Sequence, residues 1–179
     1  MFQEVAHGLG IKNTVNRRGT VREALKEQAS VLEKGKADVL GLYMVASLAN
    51  QGELGQADLH DYYTTFVASI FRSIRFGAPS APGKANLVRF NFFKEMGAFT
   101  RDAAIGTYRV DFDRIPGASN ALSERILRFR DNGDYDAVVA FVQRNGQMDA
   151  TLQADLPRLA AARIPVDVVF EQGTNVLGL

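Results

Sequence analysis

The chain has 179 residues, a formal net charge of +1 and a hydrophobic share of 46%. That length suits a single domain over residues 1–179, with enough apolar content for a sizeable core and too much for disorder. The near-neutral charge argues against nucleic acid or an anionic membrane as partner, the lack of cysteine excludes disulfides and thiolate metal sites, and no apolar run approaches the ~20 residues needed to cross a bilayer. The opening MFQEVAHGLG has neither the basic nor the long apolar region of a signal peptide, so the expected location is cytoplasmic. Its first residues read as helix interior with no capping residue before them, the pattern expected of a fragment or of a chain without its front half.

In chain order, a short helix is predicted from Met1 to His7, stopped by Gly8 and Gly10. IKNTVNRRG is polar and loop-like. Thr20 and Glu23 form a capping box, which predicts a long helix from there to Asn50. Its second half, ADVLGLYMVASLA, is apolar nearly all round and is expected to be buried on most sides. After the turn QGELGQ, a helix is predicted from Asp58 to Arg75, with Tyr62, Phe66, Ile70 and Phe71 at helical spacing. FGAPSAPG is a loop, and a further helix covers Lys84 to Met96. Thr107 to Phe112 alternates as a strand does. Helices follow over Ala118–Arg130, Asp134–Arg144 and Ala150–Ala162, and the β-branched stretch Ile164 to Phe170 reads as a second strand. The predicted class is mainly α with a minor pair of β-strands.

Gln3, Glu4 and His7 spell Q-E-x-x-H, one letter from the H-E-x-x-H helix of many zinc peptidases. In that motif two histidines at i and i+4 share a helix face and bind the metal, while the glutamate polarises its water. By itself such a near miss is usually just a helix.

Longer stretches add to it. GLGIKNT, GTVREALKE, LEKGKADVLGLYMV, NLVRFNFFKEMGAF and IPVDVVFEQG together resemble the catalytic half of the dipeptidyl peptidase III family of zinc peptidases. The nearest likeness is to its bacterial H-E-x-x-H branch, some members of which also carry a Nudix domain. The resemblance covers nearly the whole chain. It implies a largely helical zinc domain that faces a second domain across a substrate cleft, and the second domain and the start of the zinc helix would precede Met1.

Residue by residue, the resemblance puts the family's first zinc-ligand histidine on Gln3, its general base on Glu4 and its second ligand histidine on His7. The second motif, similar to E-E-x-K/R-A-E/D, falls on Glu33 to Asp38, so its metal-binding glutamate falls on Lys34 and its last acid, which orients a ligand histidine, on Asp38. A histidine that steadies the reacting carbonyl falls on Pro82. Zinc is thus the family's cofactor, and none is expected to bind here. A protonated lysine cannot ligate a cation, although Lys34 could fill the vacancy by pairing with Glu4 or Glu33, its ammonium lodged beside His7. Read one position earlier, Glu33 would be a substitute acid, but it lies about 100° around the helix.

Three functions are therefore weighed. The first is a peptidase-like domain that is catalytically degenerate, a pseudo-enzyme or isolated half. The second is a helical module that binds a peptide or another protein, its exposed apolar face meeting the absent domain or a second copy of itself. The third is an active hydrolase with an atypical site of His7, Glu4 and Glu33 or Asp38. Asn86 and Asn91 either face the cleft or serve as surface or capping residues. His60, in LHDYY, is expected to be solvated or to cap a helix. Arg22-Glu23 lacks the paired acids and glycine of a Nudix box, and Phe90, Phe92 and Phe93 are expected in the core.

Overall fold

A computed structural model of the chain describes residues 1–56, 58–77 and 79–165. Its elements are α1 (Phe2–His7), α2 (Val21–Leu25), α3 (Gln28–Asn50), α4 (Leu59–Ile74), α5 (Ala81–Glu95), β1 (Phe99–Arg101), β2 (Tyr108–Val110), α6 (Ile115–Asn132), α7 (Tyr135–Asn145), α8 (Ala150–Asp155) and α9 (Pro157–Ala161). The fold is mainly α with two short strands, as the sequence predicts. None of these helices is long and apolar enough to cross a membrane.

Two helices form the middle of the molecule. α3 is flanked by α1, α4, α5 and α6, and α5 in turn packs on α4, α6 and α7. From α3 the core receives Val31, Leu32, Val39 and Leu42, and from α5 it receives Leu87, Val88, Phe90, Phe92 and Phe93. The three phenylalanines are core residues, as expected. Each fully buried side chain of this size contributes roughly 1.5–3 kcal/mol of transfer free energy.

The capping box forms as its sequence dictates. Thr20 Oγ1 accepts from the Glu23 N–H at 3.1 Å, and Glu23 Oε2 accepts from the Thr20 N–H at 2.8 Å. The helix it starts is shorter than predicted. Lys26 adopts φ 50°, ending α2 and turning the chain before α3 begins. Neither proline nor glycine marks this break. Val21 and Leu25 of α2 are buried in the core, and the Lys26 ammonium lies 4.7 Å from the centre of the Tyr135 ring. The helix predicted over Ala150–Ala162 also divides, because Pro157 has no N–H to continue it.

Burial along α3 departs from expectation too. Residues up to Leu42 are mostly buried, but Tyr43 is exposed and Met44 to Ala49 only half-buried. An apolar sequence supplied the capacity for burial, and the neighbouring helices do not extend far enough to use all of it.

β2 lies inside the predicted Thr107–Phe112 strand, but its partner is β1. The pair is antiparallel with Phe99 opposite Val110. Of the strand predicted over Ile164–Phe170, Ile164 and Pro165 belong to no element, and the remainder lies outside the described residues. The hairpin is pinned to α8 by Asp155, which receives the Arg101 guanidinium through two bonds of 2.7 and 2.9 Å and the Tyr108 hydroxyl at 2.7 Å. The bonds from Arg101 and then Tyr108 hold the Asp155 carboxyl at about 2, and burial and the Asp155 carboxylate push the Tyr108 hydroxyl well above its ordinary range.

Candidate functional site

α1 and α3 carry the residues of interest, and a glycine sets their closeness. A Cβ on Gly41 would lie 3.3 Å from the Gln3 backbone nitrogen and 3.4 Å from its Cα. With only hydrogen there, α1 lies directly against α3, its buried Ala6 facing inward. Gln3 and His7 are one helical turn apart and meet acids five residues apart on α3, Asp38 and Glu33.

The two meetings differ. The Gln3 side-chain amide donates a short hydrogen bond to Asp38 Oδ1. Asp38 Oδ2 pairs with Arg89 Nη1 of α5 at 2.6 Å. Arg89 is buried, donates a second short bond to Asn86 Oδ1, and stacks its guanidinium 4.8 Å from the Phe66 ring centre. The Asn86 amide in turn donates to the Pro82 carbonyl at 2.9 Å. Lys34, one turn before Asp38, holds its ammonium 3.7 Å from Asp38 Oδ1. That is beyond hydrogen-bond reach.

The second meeting is closed. His7 Nδ1 lies 3.1 Å from Glu33 Oε1. The same oxygen accepts from Lys36 Nζ at 3.0 Å, and Glu33 Oε2 pairs with Arg130 Nη1 of α6 at 2.6 Å. Lys36 is fully buried. Besides Glu33 it donates to the His7 carbonyl at 3.1 Å and to the Leu9 carbonyl, so its positive charge sits against the C-terminal end of α1. Partial burial pushes the Glu33 carboxyl up, but the bonds from Lys36 and His7 and the Arg130 charge outweigh it and hold the group below the usual carboxylate range.

The residues singled out in the sequence therefore divide. Gln3, Lys34, Asp38 and Asn86 line an open groove of about 630 Å³ between α1, α3, α4 and α5, and Pro82 lines an adjoining pocket of about 440 Å³. His7 and Glu33 stand together outside it. Glu4 is exposed and, among the described residues, has no side-chain partner. The pairing of Lys34 with Glu4 or Glu33 is not formed: the ammonium beside the His7 main chain belongs to Lys36, and Lys34 turns to Asp38. Asn91 takes the capping role rather than the cleft, donating to the Asn145 and Gln147 carbonyls at 2.7 Å beyond the end of α7. The His60 ring is exposed and stacks on Phe112, with centroids 4.0 Å apart.

Sequence reasoning did not single out Lys36, Arg89 or Arg130. Arg89 and Arg130 meet their acids across 51 and 97 residues of chain, a separation with no local signal. For Lys36 the available sequence signal was its place between the small residues Gly35 and Ala37.

The arrangement can be tested against the zinc ion that the family resemblance implies. Zinc is held by roughly three or more imidazole, carboxylate or thiolate ligands. The positions concerned offer one imidazole, one amide already donating to Asp38, and one ammonium. The Glu33 and Asp38 carboxylates are occupied by Lys36, Arg130 and Arg89. Among the described residues no group of at least 3 His, Cys, Asp or Glu is placed to hold a metal. The side chains present, as they are placed, do not fit a zinc ion.

No family model matches the sequence. The chain is 36% identical over 169 residues to a protein named Nudix hydrolase 3 from Arabidopsis thaliana, an alignment that takes in 92% of this chain and 22% of that protein. Its backbone superposes on dipeptidyl peptidase III from Caldithrix abyssi with a TM-score of 0.86 and 35% identity, over 93% of this chain and 32% of the other. With dipeptidyl peptidase III from Corallococcus sp. strain EGB the TM-score is 0.83 and the identity 34%, over 94% and 31% of the two chains. The chain thus spans about a third or less of each of these proteins. Over nearly its whole length, in sequence as well as in backbone, it carries a fold like that of one portion of dipeptidyl peptidase III.

Proposed function

We propose that this chain is a peptidase-like domain that has kept the peptide-facing groove of a dipeptidyl-peptidase-III-like protein and lost its hydrolytic chemistry. The observation that carries this reading is the Lys34–Asp38–Gln3 arrangement: an ammonium and an amide stand where the resemblance puts zinc ligands. Glu4, the family's general base by position, is exposed; without a bound metal it would have no activated water to act on, and the rate should fall to background. The word Nudix belongs to the plant relative. In this chain Arg22-Glu23 starts α2, and Glu23 is committed to the capping box.

The test combines metal content with turnover. The purified chain should hold zinc far below one ion per molecule and leave dipeptidyl arylamide substrates uncut, with or without added zinc. Stoichiometric zinc that disappears in His7→Ala would overturn the reading. The combined change Gln3→His, Lys34→Glu and Pro82→His should restore metal binding if the ligand positions are assigned correctly.

A second reading concerns partners. Met1, Val5, Leu9 and Val15 are exposed apolar side chains close together in sequence around α1. Together with the share of the relatives that this chain leaves unmatched, they favour contact with a further domain or with a second copy. Light scattering of the purified chain, repeated on Val5→Ser/Leu9→Ser, tests for the second copy. An active hydrolase built on His7, Glu4 and Glu33 or Asp38 would have to free Glu33 from Lys36 and Arg130, or Asp38 from Gln3 and Arg89.

A further inference from the structure

A separate pocket of about 520 Å³ lies where the C-terminal half of α3 meets the starts of α4 and α6. Ser47 and Asn50, which line it from α3, stand roughly 14 and 18 Å beyond Asp38 along the helix axis. Leu42 is the one described residue that this pocket shares with the groove.

The chemistry of its lining changes with depth. At the rim stands Asp58, an exposed acid that caps α4 by accepting from the His60 N–H at 2.8 Å. The described residues around the pocket include no lysine or arginine to balance it. The walls are aromatic: His60 stacks on Phe112 with centroids 4.0 Å apart, and Tyr43 and Tyr63 complete them. Deeper lies Ser119 of α6, only 3% exposed. Its hydroxyl has no hydrogen-bond partner among the described residues. A buried hydroxyl left unpaired is a net cost to folding, so its bonding capacity is free for whatever fills the pocket.

We propose that this pocket binds a small hydroxyaryl alkylammonium ion, with its ammonium at Asp58, its ring against Tyr43 and the His60–Phe112 pair, and its hydroxyl bonded to Ser119. The order of groups on such a ligand follows their order in the pocket: charge outside, aromatic surface between, hydroxyl inside. A lone acid among aromatic rings favours a cation, which the ring faces attract as well. An anion would meet the Asp58 charge with no lining cation to offset it, and a wholly apolar ligand would seal Ser119 in unpaired. The volume lies in the range of about 300–1,000 Å³ usual for small-molecule sites. This site is independent of the groove and of the zinc-ligand positions.

Calorimetric titration of the chain with tyramine tests it. Three companions each lack one feature: phenethylamine the hydroxyl, tyrosol the ammonium, butylamine the ring. Tyramine should bind roughly fivefold more tightly than phenethylamine and about threefold more tightly than tyrosol, as the loss of one buried hydrogen bond and of one exposed charge contact predict. Butylamine should bind weakest. Ser119→Ala should remove the preference over phenethylamine, and because it breaks no hydrogen bond within the described residues its melting temperature should hold. Asp58→Asn keeps a capping side chain on α4 while removing the charge, and should remove the preference over tyrosol. Equal affinity for tyramine and tyrosol would overturn the ammonium at Asp58. A preference for tyramine that survives both variants would put the binding elsewhere and overturn the site. Butylamine bound as tightly as tyramine would make this a site for a plain alkylammonium, such as a lysine side chain, and overturn the aryl ligand. Absence of binding by all four at millimolar concentration would overturn the proposal outright.

Discussion

Lys34 and Lys36 are two residues apart on one helix and live under opposite rules. Lys36 is buried, and its ammonium is spent on Glu33 and on the His7 and Leu9 carbonyls. Lys34 is about a third exposed and has no hydrogen bond within the protein. One cation is a structural bolt between α1 and α3, and the other makes a long, partly solvated pair with Asp38 at the edge of a groove. The difference follows from helix geometry: residues two apart face opposite sides, and only one side of this stretch is covered by α1 and α6. Identical chemistry is consumed on one face and left partly solvated on the other.

The strongest blow to the groove side should come from Asp38→Ala. It strands the buried Arg89 guanidinium without its counter-ion, a loss of about 3–5 kcal/mol by urea denaturation. A cost under ~1 kcal/mol would mean that Arg89 finds another acceptor and that Asp38 is as expendable as Lys34. Lys36→Met keeps most of the volume but leaves the His7 and Leu9 carbonyls without this donor and takes one of three partners from Glu33, and should cost about 2–3 kcal/mol. Gly41→Val pushes a side chain into the Gln3 backbone and should cost about 1–3 kcal/mol through overpacking. It should also loosen both meetings of α1 with α3, read as faster amide exchange over residues 3–9.

Acid separates the faces further. The folded Glu33 carboxyl is held below its ordinary range, so its contribution to stability is present above about pH 4.3 and is lost as pH falls below that value toward the lowered folded one. Asp155, held at about 2, loses its contribution as pH falls from about 4 toward 2. Glu33→Gln should flatten the acid limb of the melting-temperature curve, and an unchanged limb would remove Glu33 as a source of the pH dependence. The smallest effect is expected of Lys34→Gln: stability should stay within ~0.5 kcal/mol, because its ion pair is long and partly solvated.

Helix positions were largely legible from the chain, because caps and periodicity are local. Thr20, Asp58 and Asp134 each accept a bond from the first turn of the helix that follows them, whereas Ser80 caps α5 inside the stretch predicted as a loop, and that helix begins at Ala81, three residues before its predicted start. The break at Lys26 was not legible, since a lysine at φ 50° is imposed by where α2 and α3 must each pack. β1 was missed for a related reason: three residues are too few to establish a period, and Phe99 to Arg101 become a strand only opposite Tyr108 to Val110. Of the candidate site, Gln3, His7, Lys34 and Asp38 could be named from spacing and resemblance. Which acid met which partner could not.

The amino-acid sequence alone determined the mainly helical class, the capped starts of several helices and the chemical identity of what stands at positions 3, 7, 34 and 38. Local propensity and side-chain chemistry decide those things, and both are written residue by residue. Tertiary structure alone decided that Glu33 is closed off by Lys36 and Arg130, and that Asp38 belongs to Gln3 and Arg89 with Lys34 at the longer distance of 3.7 Å. Charges from distant parts of the chain become partners, or are left without one, only when packing brings some together and holds others apart.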